Sequence, residues 1–389
     1  MNVIDLRDEL YQRRIDIIGI EDDAVYYAEE LNESGENRIY IYSYDFSTEE
    51  ERVLSSFELE GTDFLEHFYL CGDSIIILFE NDTSTVWLIK LHKRSGSELQ
   101  RKKLSLIGRF FDCVPIDDND LIIYTKSDEE HKTLFNRCFE TTDSEVLANL
   151  YDLSAGYRYF IKDFKTAGLI SRGMKTFVNA HGVEKLLLCD PYCEESKKEE
   201  LVRTLAPQLE QTHDELRDNI WVVSKERLLR MMKTGAEKIN LRRAASAGLE
   251  GTVRFESVCG DDIVFRAKVY KSQLEQFFGM SASTGKVTPL KDVRSRREGG
   301  SYYVDEVSGR IYYRKELEER IRLLGEIGSS ADIVFPEKIG DIEAVIEDRY
   351  IIADKSSSKP YTAIFDGKKN IADFFQARAK IKGRTVILY

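Results

Sequence analysis

The chain of 389 residues carries 69 acidic and 56 basic side chains, which gives a formal net charge of −13. Apolar residues make up 42% and charged residues 32% of the sequence, a composition typical of globular proteins with a buried core. The acidic balance argues against a protein that coats nucleic acid. Purely apolar runs such as residues 75–79 are far too short to span a membrane.

Six cysteines lack the spacing of a disulfide framework. Residues 1–9 have neither the basic start nor the apolar stretch of a signal peptide. Both observations predict a cytoplasmic protein with reduced thiols.

A short strand recurs along the chain, and an acidic or glycine-bearing turn stands in front of each copy. The first three copies begin at Val25, Ile75 and Leu121, which are 50 and then 46 residues apart. Further copies lie at residues 263–265 and 350–352. Their β-branched and aromatic residues favour a pleated, buried strand, whereas Asp, Asn and Gly favour the turns between strands.

Each of these strands is followed by a partner strand after a polar turn, as at residues 38–44 and 86–89. A second turn, such as residues 95–96, then leads to a more amphipathic fourth strand at residues 100–106. The repeating unit is therefore four short antiparallel strands in about 40–50 residues.

This repeat length and strand pattern resemble those of β-propellers, and the resemblance spans most of the chain. It implies an all-β fold of about seven blades, within a range of six to eight; a sandwich, a barrel or a multi-domain β protein is the alternative. The count is open because residues 185–188 and 220–223 can be paired strands of one blade or belong to two blades. The second interpretation needs an extra strand near residues 168–170. Apolar residues on both sides of the strand at 75–77 favour blades that bury two faces against neighbours.

Residues 1–389 are predicted to form a single propeller domain. The final segment, residues 384–389, has the pattern of a strand. Closing a ring of blades usually places both ends of the chain in one blade, so we expect this segment beside residues 2–6.

One segment, residues 194–218, departs from the strand pattern. Leu201, Leu205 and Leu209 recur at a spacing of four, which predicts a helical insertion in the propeller. The insertion is interpreted either as a stalk packed on the rim or as an element that binds a partner.

Acidic turns are the most position-specific signal in the sequence. They are predicted to lie between the first and second strands of their blades, on one face of the ring. Converging carboxylates there can hold calcium or attract a basic partner, whereas the alternative is that Asp simply forms good turns. The candidate ligand- or cation-binding residues are Asp22, Asp23, Asp73, Asp117, Asp118, Asp261, Asp262 and Asp348.

Two basic stretches, residues 225–243 and 291–297, stand out in an acidic chain. They are candidates for a surface that binds an anion or an acidic partner. A solvated blade edge, protected by its charge from pairing with another strand, is the alternative. The candidate anion- or partner-binding residues are Arg227, Arg230, Arg242, Arg243, Arg296 and Arg297.

Catalytic motifs do not emerge from the sequence: there is no nucleophile elbow, phosphate-binding glycine loop or His-Glu-x-x-His pattern. We predict no metal site and no cofactor, with calcium as the alternative. The favoured hypothesis is a non-catalytic propeller scaffold that binds a protein or small ligand at a channel mouth or through the insertion. The alternative is a propeller hydrolase or lyase that acts on a carbohydrate-type substrate with carboxylates in the central channel. The sequence leaves the oligomeric state open.

Overall fold

A computed structural model describes most of the chain. The described residues are 1–7, 14–33, 36–58, 65–81, 85–127, 146–190, 198, 218–248, 251–271, 274–290, 300–315, 320–324, 333–334, 340–354, 360–367 and 369–389. Two compact units are present. The early unit comprises Asp8–Ser171 and Glu226–Ile239, and the late unit comprises Met1–Arg7, Arg172–Lys225 and Asn240–Tyr389.

Strands dominate both units. The first strands in chain order are β1 (Asn2–Asp5), β2 (Ile15–Ile20), β3 (Ala24–Glu33), β4 (Glu36–Asp45), β5 (Glu50–Glu58), β6 (Leu65–Cys71), β7 (Ser74–Asn81), β8 (Thr85–His92), β9 (Glu98–Leu104), β10 (Arg109–Pro115), β11 (Asp120–Lys126), β12 (Val146–Asp152) and β13 (Tyr157–Phe160). The remaining strands are β14 (Met174–Val178), β15 (Glu184–Cys189), β16 (Asp218–Ser224), β17 (Arg242–Ala247), β18 (Gly251–Cys259), β19 (Asp262–Val269), β20 (Leu274–Ser281), β21 (Val287–Pro289), β22 (Gly300–Val304), β23 (Ile311–Lys315), β24 (Arg320–Leu324), β25 (Ile333–Val334), β26 (Ile342–Ile346), β27 (Tyr350–Asp354), β28 (Tyr361–Asp366), β29 (Lys369–Phe375), β30 (Ala379–Lys382) and β31 (Thr385–Leu388).

The strands form eight sheets in the described ranges. Seven are four-stranded and antiparallel, each made of consecutive strands: β2–β5, β6–β9, β10–β13, β14–β17, β18–β21, β22–β25 and β26–β29. The eighth has three strands in the order β1-β31-β30. This succession of antiparallel blades confirms the predicted all-β propeller class, and eight lies within the expected range of six to eight.

The ambiguous middle of the chain forms one blade. Strands β15 and β16 are hydrogen-bonded neighbours, with Leu187 opposite Val222. The interpretation that paired residues 185–188 with 220–223 is therefore correct. The eighth sheet comes from the ends of the chain rather than from a second blade in this region.

The two ends share that eighth sheet, as predicted. Strand β1 runs parallel to β31, with Val3 opposite Val386 and Ile4 opposite Ile387. The backbone N–H of Asn2 donates to the Arg384 carbonyl at 2.8 Å.

Central strands bury both of their faces. Ile75 and Ile77 pack in one apolar cluster with sheet β2–β5, whereas Ile76 packs in another with sheet β10–β13. In the late unit, Ile351 contributes to a cluster with sheet β22–β25, and its neighbour Ile352 contributes to one with the sheet of the two ends. Strand alternation sends successive side chains to opposite faces, so each sheet is covered on two sides.

Two short helices were not predicted. Helix α1 (Phe164–Ser171) contains residues 168–170, so the extra strand considered there is wrong. Asp163 caps α1 by accepting the Thr166 N–H at 3.1 Å. Helix α2 (Lys225–Lys233) carries part of the first basic stretch, so a strand at a blade edge, the alternative interpretation of that stretch, is wrong for these residues. In the described ranges, no helix is long and apolar enough to cross a membrane.

The predicted helical insertion at residues 194–218 lies almost entirely outside the described residues. Lys198 is described, is helical and is 1% exposed. Its ammonium nitrogen lies 2.8 Å from Asp218 Oδ2 and donates to the Gly251 carbonyl at 2.9 Å. Asp218 itself opens strand β16 rather than ending a helix.

The turn after the third strand of several blades needs a left-handed residue. Gly96 has φ 71° and donates its N–H to the His92 carbonyl at 2.8 Å. Gly156 holds the same place in its own blade with φ 74°. A Cβ on Gly96 would lie 2.1 Å from the Leu54 carbonyl oxygen of the adjacent sheet, whereas a Cβ on Gly156 would meet only the Lys102 ammonium at 3.7 Å.

We predict that Gly96→Ala destabilises the protein more than Gly156→Ala. Both variants force Ala into a left-handed conformation, at a cost of about 1–2 kcal/mol each. Only Gly96→Ala also pushes the backbone of strand β5 away. Urea unfolding of the two variants measures the difference, and equal losses would show that sheets β2–β5 and β6–β9 do not approach as closely as described here.

Candidate functional site

The acidic candidates lie where the repeat places them, at the turn between the first and second strands of their sheets. Asp22 and Asp23 lie between β2 and β3, Asp73 between β6 and β7, Asp117 and Asp118 between β10 and β11, Asp261 between β18 and β19, and Asp348 between β26 and β27. Asp262 is the first residue of β19.

In the early unit, a buried lysine joins the acidic turns of two adjacent sheets. Lys93 is 8% exposed. Its ammonium nitrogen lies 2.8 Å from Glu21 Oε1, 3.5 Å from Asp73 Oδ1 and 2.7 Å from the Gly72 carbonyl oxygen. The ammonium group thus occupies the space between the two turns.

A second lysine, Lys90 of strand β8, contacts the acidic turn of the next sheet. It donates to Asp118 Oδ2 at 3.2 Å and to Asn119 Oδ1 at 3.0 Å. Asp117 instead holds the turn itself, because its Oδ1 accepts the backbone N–H groups of Asn119 and Asp120, both at 2.9 Å. This is the local geometry for which Asp is favoured in turns.

A third lysine, Lys233 of helix α2, bridges two buried aspartates. Its nitrogen lies 2.8 Å from Asp120 Oδ1 and 2.6 Å from Asp152 Oδ2. Burial raises the pKa of Asp120. Burial also favours the neutral form of Asp152, but hydrogen bonds from Lys233, the Ala155 N–H and the Ser154 hydroxyl outweigh it and lower the pKa of Asp152 to about 2. We call Lys90, Lys93 and Lys233 the lysine bridges.

In the late unit, Asp261 is held by neutral donors. It accepts the Ser281 hydroxyl at 2.7 Å, the Ser283 hydroxyl at 2.6 Å and the Ala180 N–H at 2.8 Å. These hydrogen bonds, that of Ser283 first, lower the pKa of Asp261 well below its usual range. The carboxylate therefore fastens the turn of sheet β14–β17 to that of sheet β18–β21.

Asp348 has a similar set of partners. Its Oδ1 accepts the Ser308 and Tyr312 hydroxyl groups, both at 2.7 Å, and Arg310 lies 3.3 Å from Oδ2. Its own N–H donates to Oδ2 of the fully buried Asp305 at 2.7 Å. Asp348 has a positive φ of 56°.

The acidic candidates do not converge on a shared centre within either unit. Asp22, Asp23 and Asp262 are exposed, and the carboxylate of Asp23 lies 3.9 Å from the exposed Arg94. Across the described ranges, no three His, Cys, Asp or Glu side chains are grouped as metal ligands would be.

The basic candidates lie on two different elements. Arg227 and Arg230 lie on α2, are exposed and are one helical turn apart. Arg242 and Arg243 lie on β17, the outer strand of its sheet. The Arg243 guanidinium stacks 5.2 Å from the ring of Trp221. The other two candidates, Arg296 and Arg297, lie outside the described residues.

Sequence reasoning missed one cluster of charges in the late unit. Arg266 Nε lies 2.8 Å from Glu256 Oε1, and Arg266 Nη1 lies 3.4 Å from Glu275 Oε2. The Tyr302 hydroxyl donates to Glu275 at 2.7 Å, and its ring lies 4.5 Å from the guanidinium. Burial raises the pKa of Glu256. The sequence does contain one signal for this cluster, an arginine directly after the apolar residues 263–265.

Comparison with known proteins identifies no family for this chain. No protein-family model matches the sequence, and no curated protein is significantly similar to it. The β-propeller domain of the Trilobed protease from Pyrococcus furiosus is similar over 93% of this chain and 98% of that one, with 13% identity and a TM-score of 0.41.

Two further solved structures illustrate the range of the similarity. An acylaminoacyl peptidase from Pyrococcus horikoshii is similar over 95% of this chain but only 55% of its own, with 12% identity and a TM-score of 0.44. An uncharacterized protein from Listeria monocytogenes EGD-e is similar over 95% of this chain and 98% of its own, with 10% identity and a TM-score of 0.44. The chain thus spans about half of the peptidase, and similarities this distant carry no inference about activity.

We predict that Lys233→Met lowers the free energy of unfolding by about 2–3 kcal/mol, because it leaves two largely buried carboxylates without their cation. This loss is smaller than that expected for a fully buried ion pair, because the Lys233 side chain is 29% exposed and water partly screens its charge. Lys225→Met on the same helix is the control. Its partner Glu184 is 39% exposed and can be solvated by water, so the loss is about 1 kcal/mol or less. Urea unfolding measures both variants, and equal losses would contradict the structural role of the Lys233 bridge.

Proposed function

We propose that the protein is a non-catalytic binding scaffold. The observation that carries the proposal is the state of the acidic turns. Asp73 and Asp118 contact lysine bridges, while Asp261 and Asp348 are held by hydroxyl groups, backbone N–H groups or arginine. A general acid, a base or a cation ligand needs a free coordination or proton-transfer position. Asp118, Asp261 and Asp348 use such positions to fasten blades together, whereas the side chain of Asp73 stays 84% exposed.

The proposed partner is an acidic protein segment that contacts α2. Arg227 and Arg230 project from the same exposed helix face, whereas the other cations of that helix, Lys225 and Lys233, contact Glu184 and the Asp120–Asp152 pair. Among the residues described, neither guanidinium is in an ion pair. Arginine is well suited to bind carboxylates because its planar head donates two parallel hydrogen bonds.

The charge-reversal variant Arg227→Glu/Arg230→Glu tests this surface, with poly-L-glutamate as the acidic probe. We expect the wild-type protein to bind the probe in a salt-sensitive manner and the variant to bind about tenfold more weakly, the effect of a change of about 1.4 kcal/mol. Fluorescence anisotropy of labelled probe at two salt concentrations measures both.

The matched control is Lys103→Glu/Lys175→Glu, which changes the net charge equally at exposed positions on strands β9 and β14. It is expected to retain most of the binding. If both variants weaken probe binding equally, net charge alone explains the loss, and α2 is not the binding surface. A wild-type protein that does not bind the probe would refute an acidic partner.

The second candidate function is a hydrolase or lyase acting on a carbohydrate-type substrate. The Glu256–Arg266–Glu275 cluster favours it, because two carboxylates and a basic group meet there within hydrogen-bond distance. However, the two carboxylates contact the guanidinium, and both are largely buried, with side-chain exposures of 13% and 18%. A substrate would have to displace Arg266 to reach them, so we place the scaffold first.

The insertion is the other proposed docking element, and the structure shows how to remove it. Lys198 and Asp218 must be kept, because their ion pair is buried and Lys198 also bonds Gly251. Their side chains meet at 2.8 Å, so a linker of about six Gly and Ser residues is long enough to replace residues 200–216.

We predict that this excision leaves the unfolding midpoint unchanged within about 1 °C and abolishes partner binding through the insertion. The measurement compares the yield of cross-linking to an isolated partner protein between the wild-type protein and the excised variant. A control linker variant that also replaces Lys198 should lose stability, since Asp218 is then buried without its cation. Undiminished cross-linking would assign docking to another surface.

The proposed function needs no cofactor, and calcium at the exposed Asp22 and Asp23 turn is the alternative. The cytoplasmic location rests on the cysteine pattern and is part of the same proposal. The described cysteines, Cys71, Cys113, Cys189 and Cys259, are free thiols.

A further inference from the structure

The space between sheets β6–β9 and β10–β13 changes character along its length. Its middle is filled by an apolar cluster that includes Leu78, Leu88 and Ile123. At one end, Lys90 reaches across to Asp118. Toward the other end, polar side chains enter the same space without a hydrogen-bond partner among the described residues.

Two of these polar side chains come from sheet β10–β13. Thr125 and Asn149 are each 1% exposed. In the described part of the chain, Thr125 Oγ1, Asn149 Oδ1 and Asn149 Nδ2 have no hydrogen-bond partner. Asn149 is opposite Ile123, and Thr125 is opposite Leu147, so the two side chains are diagonal neighbours on one face. Because Ile123 belongs to the apolar cluster, that face is directed at sheet β6–β9.

The facing sheet supplies a third group. The imidazole of His67 lies 5.5 Å from the ring of Phe110, and Phe110 is the register partner of Thr125. His67 also stacks on Tyr69 at 6.2 Å. Its Nε2 is buried and has no hydrogen-bond partner among the described residues. Glu80 lies on the same face of this sheet, diagonal to His67, and burial raises the pKa of its carboxyl group.

The chemistry of these groups restricts what can bind them. A hydroxyl, an amide and an imidazole each act as donor and acceptor, so their common ligand must do both. A buried polar group without a partner destabilises the folded state. Water is the smallest molecule that donates and accepts together, and buried water typically makes about three hydrogen bonds to such groups.

We propose that ordered water binds between sheets β6–β9 and β10–β13, where it joins Thr125 and Asn149 of one sheet to His67 of the other. The water is part of the contact between the two blades. It satisfies side chains that the apolar cluster leaves without partners.

Replacing Thr125 by Val, which has nearly the same shape, tests the proposal. The change in Tm is expected to be negative if water bonds the Thr125 hydroxyl, and zero or positive if the hydroxyl has no partner. If water bonds the hydroxyl, Thr125→Val removes a hydrogen bond and lowers Tm by about 2–4 °C. If the hydroxyl has no partner, the variant removes an unsatisfied polar group and Tm rises or stays the same. In a Trp221→Phe background, Trp87 is the single tryptophan and reports on the early unit, since the sequence has two.

Thr166→Val is the matched control, because Thr166 is also 1% exposed and its hydroxyl donates to Asp163 Oδ2 at 2.9 Å. It should lower Tm whatever lies beside Thr125. A double-mutant cycle of Thr125→Val with Asn149→Leu then measures their coupling. Shared water predicts that the two losses are not additive. Additive effects together with a neutral or stabilising Thr125→Val would overturn the proposal.

A crystal structure of the full chain gives the direct readout. The proposal expects compact density within about 2.7–3.2 Å of Asn149 and Thr125. Direct hydrogen bonds between the side chains without such density would overturn it, as would density for a larger molecule.

Discussion

Each four-stranded sheet of this protein has two apolar faces, and the rest of the structure depends on covering both. Ile75 and Ile77 lie in one apolar cluster and Ile76 lies in another, so three consecutive side chains need apolar cover on both faces of one strand. No sheet can provide this cover alone, so blades must be stacked face to face. Polar groups are consequently displaced to the ends of the spaces between blades, where lysines, aspartates and hydroxyl groups meet.

The lysine bridges are the electrostatic counterpart of this packing. A lysine stem can run along an apolar face while its ammonium group reaches a polar end, and Lys90 and Lys93 do so from strand β8 and the turn after it. Three of the acidic turn residues, Asp118, Asp261 and Asp348, anchor adjacent blades to each other. Two exposed cations, Arg227 and Arg230, lie instead on a helix outside the repeat.

Local patterns predicted local structure well. The short strands, the acidic turns between first and second strands and the pairing of residues 185–188 with 220–223 follow from alternation and turn chemistry. Helix α1 was missed because residues 168–170 are apolar enough for a strand and too few to show a helical period. The partners of the turn carboxylates escaped prediction for another reason. Lys233 meets Asp120 from 113 positions away, and no pattern within one repeat encodes such a contact.

The parallel pairing of β1 with β31 has a mechanical consequence. Force applied to Met1 and Tyr389 pulls the start of one strand away from the end of its parallel neighbour, so the strands must slide along each other. The hydrogen bonds around Val3 and Val386 are then loaded together rather than broken one after another. The sheet that joins the ends would thus act as a shear clamp, whereas an antiparallel hairpin pulled from its open end would unzip.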